Sequence, residues 1–286
     1  MATETGSSTI DRAPVLNVSP SRARPFVVNR MPGFGTMALF MFLMLYAPLF
    51  LLVIFSFNER ESVAVWGGVS LKWYRAAWAD REIKEAAFRS LWLAATAATI
   101  ATCAATLAAI ATTRTRPFRG LTTVYAVINM PLMVPEIVTA VALLIFFASI
   151  KVATGYTGAG YLVAAHSAFC IPFAYLPIRA RLESMDATLE TAAADLYASP
   201  IQAFRRITLP LLWPGIIAGF MLAFVTSLDD VVITDHIKSA GMETLPTYML
   251  GQLRRSMTPE VNAVSAIFFA LSVLLVTFFF FMNRKK

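Results

Sequence analysis

The sequence predicts an all-α integral membrane protein, with six transmembrane helices and a cytoplasmic helix-turn-helix between the fourth and the fifth. Three observations carry this. Hydrophobic residues fill 58% of the 286 positions and charged residues 14%, a balance too apolar for a soluble globular chain; the mean hydropathy of +0.66 agrees. The apolar residues gather into runs long enough to cross a hydrocarbon core of about 30 Å. One long polar stretch, Arg179 to Pro214, interrupts the hydrophobic second half and carries helix signals of its own.

Residues 1–34 read as a disordered tail, polar, rich in Ser and Pro, with Arg12, Arg22, Arg24 and Arg30. The first span follows at about Gly35–Phe57, 23 residues without a charge. Its length and the lack of a small-residue cleavage site mark it as an uncleaved helix rather than a signal peptide. Pro48 predicts a kink in it. Asn58 to about Arg89 reads as a loop whose Trp66, Trp73, Tyr74 and Trp78 suit either an interfacial belt or an external partner.

The second span, about Ser90–Thr113, is dominated by Ala and Thr, whose small side chains let helices approach closely. Arg114, Arg116 and Arg119 mark the turn after it. The third apolar region, about Leu121–Ile150, is broken by Pro131 and Pro135, with Glu136 beside the break. Gly155 to Gly160 form a turn, and the fourth span runs from about Tyr161 to Ile178 around His166. The fifth runs from about Leu211 to Ile233 and ends on Asp229 and Asp230, and the sixth from Val261 to Met282. The six spans belong to one domain, residues 35–283. Cys103 and Cys170 both lie in apolar runs and read as core residues.

With six spans both termini share a side. That side carries 14 Lys and Arg against 10 on the other, so the positive-inside rule places the tail, the Arg114 turn, the polar stretch and the C-terminus in the cytoplasm. The basic residues flank spans and form no face of their own, which argues for membrane orientation and against nucleic acid. No phosphate-cradling Gly-rich loop with its Lys occurs, so this chain carries no nucleotide-binding engine of that type.

Within the polar stretch, Glu183, Asp186 and Glu190 are spaced as one acidic helix face, opposite Leu182, Met185, Leu189 and Ala193. Ser199, Pro200 and Gln202 then spell a second helix start: N-cap, first-turn proline and a side chain reaching back. Pro210 and Pro214, lacking an N–H, are expected to end that helix.

This stretch, centred on about 179–210, brings a resemblance into view. Thr191-Ala192-Ala193, then Tyr197, then Ile207-Thr208-Leu209-Pro210 resembles the EAA signature of bacterial ABC-importer permeases. The resemblance implies a coupling loop that docks on a separate ATPase, through Glu190, Thr191, Ala192, Ala193, Asp195, Tyr197, Ser199 and Pro200. Thr191 stands where the family usually has Glu, and Tyr197 where it usually has Gly. Ser227-Leu228-Asp229-Asp230-Val231-Val232-Ile233, Thr244-Leu245-Pro246 and Pro259-Glu260-Val261-Asn262-Ala263, with the early Tyr46-Ala47-Pro48 and Ser56-Phe57-Asn58, are similar to the spermidine/putrescine branch. That branch implies a second, homologous permease, two copies of an ABC ATPase that bind the ATP and Mg, and an extracytoplasmic substrate-binding protein at a bacterial inner membrane.

The residues themselves offer no catalytic constellation. They offer carboxylates: Asp229 and Asp230, with Glu136 and Asp235 as company. An ionised carboxylate near hydrocarbon costs several kcal/mol unless paired or wet, so these acids either cap a broken helix or line a path for a cation. Neighbours on a helix point about 100° apart, so one of the Asp pair is expected to face the path. His166 reads first as hydrogen-bonded packing. Three alternatives stay open: the same machine with another cargo (a small cation, an opine or an amino-acid derivative), a stand-alone carrier or channel, and a membrane enzyme. Against the carrier stand the lack of an internal repeat and an unexplained polar stretch. Against the enzyme stands the want of a site.

Overall fold

The computed structural model describes residues 33–62, 65–115, 118–255 and 259–284. Most of the predicted tail, together with Arg116, Lys285 and Lys286, lies outside the described residues. The chain divides into two units, 1–48 and 49–286. The described part of the first is the N-terminal portion of helix α1 (Phe34–Phe55), where Phe42 and Tyr46 stack one turn apart.

The second unit is built from helices: α2 (Lys72–Ala79), α3 (Arg81–Thr113), α4 (Leu121–Met133), α5 (Glu136–Thr154), α6 (Gly160–Ser184), α7 (Thr188–Asp195), α8 (Pro200–Ala203), α9 (Leu209–Leu228), α10 (Val232–Ile237), α11 (Leu245–Arg255) and α12 (Pro259–Arg284). Among the described residues, six helices are long and apolar enough to cross a membrane: α1, α3, α5, α6, the continuous run Pro200–Leu228, and α12.

The core of this unit is the triple packing of α3, α6 and α9. Ala98, Ala101, Ala105 and Ala109 of α3 are fully buried against Cys170, Ala174, Tyr175, Ile178 and Leu182 of α6, with Leu212 and Ala223 of α9. The Ala-rich sequence predicted this closeness, and α9 contributes to it through glycine. A Cβ at Gly219 would stand 2.7 Å from the Ala174 carbonyl oxygen, so the two backbones touch where there is no side chain. A second cluster joins α3, α5, α6 and α10 through Leu93, Ala140, Phe147, Leu162, Ile233 and Ile237.

Several expectations need correction. The loop read from Asn58 to Arg89 is partly helical: Asp80 accepts the N–H groups of Glu82 and Ile83 and starts α3 nine residues before the apolar run begins. Asn58 organises what remains. Its amide donates to the carbonyls of Ser62 and Val65 and accepts from Gly67 N–H, while its carbonyl takes the Trp73 indole N–H at 2.8 Å. Trp73 is therefore buried inside the loop, whereas Trp78 is exposed. Cys103 is exposed and only Cys170 is core, because the close-packed face of α3 is occupied by its alanines.

Pro210 and Pro214 do not end a helix. From Pro200 to Leu228 the backbone stays helical, with a π-helical turn at Phe204–Thr208 directly ahead of Pro210. The wider turn falls where the proline ring would meet the carbonyl of Arg206. The third apolar region does break as predicted, at Val134–Pro135 between α4 and α5. The fifth helix stops at Leu228, five residues short of the predicted end, and Val232 starts α10.

Candidate functional site

Two groups of residues stand at opposite ends of α9. Its 20 residues separate them by about 30 Å at 1.5 Å per residue.

At one end, the polar stretch forms α7 and α8 around a tight turn. The acidic face expected over Glu183, Asp186 and Glu190 is split, because the chain breaks at Met185–Ala187. Glu183 belongs to α6 and pairs with Arg179 at 2.7 Å. Asp186 Oδ1 accepts the Thr188 N–H, which holds its carboxyl below the usual range. Glu190 turns inward. Its Oε1 takes the Arg114 Nε at 3.2 Å and the Thr208 hydroxyl at 2.9 Å, so one carboxylate ties α7 to the end of α3 and to the π turn.

Ala193 is buried and its carbonyl accepts the Ala198 N–H. The turn between α7 and α8 is closed by Tyr197 at φ 60°, the single non-glycine residue with positive φ among those described. The chain thus uses tyrosine in the left-handed conformation that glycine supplies without steric cost. Ser199 and Gln202 form the predicted capping box, both bonds present, with Pro200 in the first turn. Thr191, Ala192, Asp195, Ser199 and Pro200 face outward. Leu196 at 81% exposed, Tyr197 at 97% and Ile201 at 71% make an apolar tip that the sequence reading overlooked.

At the other end, the backbone breaks after Leu228. Asp229 and Asp230 diverge, as adjacent residues must. Asp230 turns inward, its side chain 2% exposed. Its Oδ2 accepts the Thr234 N–H at 2.9 Å and the Thr234 hydroxyl at 2.7 Å; its Oδ1 accepts the Ile233 N–H at 3.3 Å. The carboxylate therefore satisfies the first N–H groups of α10. His166 on α6 completes the arrangement, with Nε2 3.0 Å from the Thr234 hydroxyl and Nδ1 2.8 Å from the Ser227 hydroxyl. Thr234 gives its one proton to Asp230, so its oxygen accepts from His166 Nε2–H. Nδ1 is paired with the Ser227 hydroxyl. His166 packs and bonds; its partners lie 61 and 68 residues away.

Asp229 faces outward. It is one of the residues that line an open cavity of about 270 Å³ between α9 and α12, with Leu228, Ser265, Phe268, Phe269 and Ser272. Glu136, the first residue of α5, interacts with Asp230 and through space with Asp229, so all three predicted carboxylates come together. Asp235 does not join them. It pairs with Lys238 at 3.0 Å and Arg254 at 3.7 Å. The sequence pointed to the acids but not to Phe268 and Phe269, which look like any apolar pair of a span.

Comparison with known proteins agrees with this architecture. Residues 101–284 match the family described as binding-protein-dependent transport system inner membrane component. The chain is 37% identical over 243 residues, 84% of this chain and 86% of the relative, to the putrescine transport system permease protein PotI of Escherichia coli K12. It is also 37% identical over 242 residues, 85% of this chain and 93% of the relative, to the spermidine/putrescine transport system permease protein PotC of Haemophilus influenzae. In fold it is similar to a chain of a bacterial ABC transporter that imports alginate, with a TM-score of 0.70 and 14% identity, covering 88% of this chain and 93% of that one. The chain belongs to the inner-membrane permease family of binding-protein-dependent ABC importers, a transport subunit and not an enzyme.

Proposed function

We propose that the chain is one of two homologous permease subunits of an importer for polyamines such as putrescine or spermidine. The observation that carries the reading is the 37% identity, across most of both chains, to permeases named for those amines. The gathering of Asp229, Asp230 and Glu136 at the end of α9 away from the polar stretch supports it, because a group of carboxylates favours a cation. Two copies of an ATPase, binding the ATP and Mg, would dock on α7, α8 and the exposed tip at Leu196, Tyr197 and Ile201. A substrate-binding protein would deliver the amine on the other side, with both termini in the cytoplasm.

In this reading the docked ATPase moves the coupling loop, and Glu190 passes the motion to α3 through Arg114 and to α9 through Thr208. Residues 1–34 stay outside the working domain, 35–283.

The test is purification of the tagged chain with its co-purifying subunits, reconstitution into liposomes, and ATP-driven uptake of labelled putrescine and spermidine. Saturable uptake of either amine is expected. Uptake of another small cation in their place would keep the machine and overturn the cargo. A chain that purifies alone and stably would overturn the partners.

A further inference from the structure

Helix α2 packs on one side only. Its inner side is occupied: Trp73 and Ala77 are buried, and Tyr74 donates to the Ser56 hydroxyl at 2.6 Å, since Ser56 gives its own proton to the Val53 carbonyl. Leu71, Arg75 and Trp78 recur at the spacing of one helical face, and all three are exposed, Trp78 at 77%. The turn ahead of the helix extends that surface. Glu59 N–H bonds the Gly68 carbonyl and Ser70 N–H the Phe57 carbonyl, which pins Val69 beside Asn58 with 76% of its surface open. Trp66 is exposed as well, its ring at 89° to that of Phe55 with centroids 6.0 Å apart.

Depth decides what covers this surface. Phe55, which Trp66 touches, is the last residue of the apolar span Gly35–Phe55, and Ser56, which Tyr74 holds, is the next. Ala77 shares a cluster with Ile83 and Ala86 of α3 and with Val264 of α12, near the start of the span Pro259–Thr277. Ala86 and Ile83 stand four and seven residues ahead of Ser90, where the apolar run of α3 begins, which is about 6–10 Å at 1.5 Å per residue. The headgroup layer on each face of a bilayer is about 5–8 Å deep. The ends of three spans thus set α2 and the turn before it at headgroup level. Tryptophan suits that depth, with an apolar body and one N–H. Arginine suits it too, because a guanidinium pairs with phosphate, and among the described residues Arg75 forms no ion pair.

We infer that α2 and the Trp66–Val69 turn form a lipid-contacting shelf. Trp66, Val69, Leu71 and Trp78 seat at the boundary between headgroups and acyl chains, and Arg75 pairs with the phosphate of an anionic phospholipid. The inference goes beyond the transport reading and is independent of the cargo; it requires only that the chain spans a membrane. Anchors of this kind set the depth and rotation of the helix they adjoin. Here that helix is α3, which begins three residues after Trp78 and carries the core packing against α6 and α9.

The test uses the protein purified with the subunits that accompany it, in liposomes of phosphatidylethanolamine and phosphatidylglycerol, with thermal melting as a check on assembly. Val69→p-benzoylphenylalanine and Trp78→p-benzoylphenylalanine each place a photo-crosslinker on the shelf, and mass spectrometry identifies the adducts after illumination. Lipid adducts are expected at both positions. The two are read separately, so a variant that fails to assemble leaves the other to decide. Adding Arg75→Gln to the Trp78 variant should shift its adducts from phosphatidylglycerol toward phosphatidylethanolamine by about fivefold, the size of one basic residue's attraction to an anionic surface. Arg75→Lys should keep the parent ratio. Adducts to a partner permease or a substrate-binding protein in place of lipid would overturn the shelf and make this surface a protein interface. An unchanged lipid ratio with Arg75→Gln would overturn the pairing of Arg75 with phosphate.

Discussion

Thr208 donates its hydroxyl to Glu190 Oε1 at 2.9 Å, and the same oxygen takes Arg114 Nε at 3.2 Å. One carboxylate thus joins three pieces of chain that are 76 and 18 residues apart: the end of α3, the surface helix α7 and the π turn that begins the α9 span. Glu190 was read from sequence as a contact for the ATPase, yet its oxygen is spent inside the chain. In the proposed importer these bonds would make the loop rigid against the bundle, as a docked partner needs if its motion is to reach α9.

The first prediction follows from that bond. Glu190→Gln keeps the Thr208 hydrogen bond and removes the ion pair with Arg114, a pair with partly buried partners. It should destabilise the loop by about 1.5–3 kcal/mol, the usual range for a bond to a charged group. Hydrogen exchange of the α7 and α8 amides should accelerate, while the α3, α6 and α9 core stays protected. Equal exchange in both proteins would mean that Arg114 contributes nothing to the loop.

Tyr197 is the second case. A side chain at φ 60° costs about 1–2 kcal/mol relative to glycine, and this one is almost wholly exposed, so nothing packed offsets the strain. Tyr197→Gly should leave the loop as stable or more so, and Tyr197→Val, β-branched, should destabilise it further. Exchange rates across 188–203 would show the order. If the glycine variant also loses its ATPase in co-purification, the tyrosine ring itself is a docking group.

The capping box gives a narrower test. Ser199 accepts the Gln202 N–H and Gln202 accepts the Ser199 N–H. Ser199→Ala should cost about 1 kcal/mol, seen as faster exchange confined to the first turn of α8. Ser199→Asp should restore it, because a carboxylate caps as well as a hydroxyl.

What was legible in the sequence follows the range of the interactions. The spans could be read because hydropathy acts over about 20 residues at a time. The capping box could be read because it spans four. The close α3–α6 packing was announced by a run of alanines. The unread features depend on partners far along the chain. Glu190 finds Arg114 and Thr208; His166 finds Ser227 and Thr234. The continuation of helix through Pro210 was missed for another reason. A proline reads as a stop unless a wide turn precedes it, and the π turn at Phe204–Thr208 leaves no mark in composition. One local signal was available and passed over: Asp80, followed at once by a helical pattern, is an N-cap and announced α3.

The last prediction concerns the seam on which both sites depend. Gly219 lets α9 lie against α6 so closely that a Cβ there would stand 2.7 Å from the Ala174 carbonyl oxygen and 3.0 Å from two side-chain carbons of Ile178. The carbonyl is backbone and cannot rotate away, so Gly219→Ala must push α9 off α6. Overpacking of this kind costs about 1–3 kcal/mol. The shift would be felt at Ser227, two turns along, where His166 reaches across from α6. Gly219→Ala should therefore lower the melting temperature of the purified complex and also cut amine uptake beyond what the loss of folded protein explains. Gly251→Ala, on α11, where nothing stands within 4 Å of the added carbon, supplies the control. If Gly219→Ala melts and transports like that control, α6 and α9 do not pack through this glycine, and the arrangement that seats Asp230 must be held by its hydrogen bonds alone.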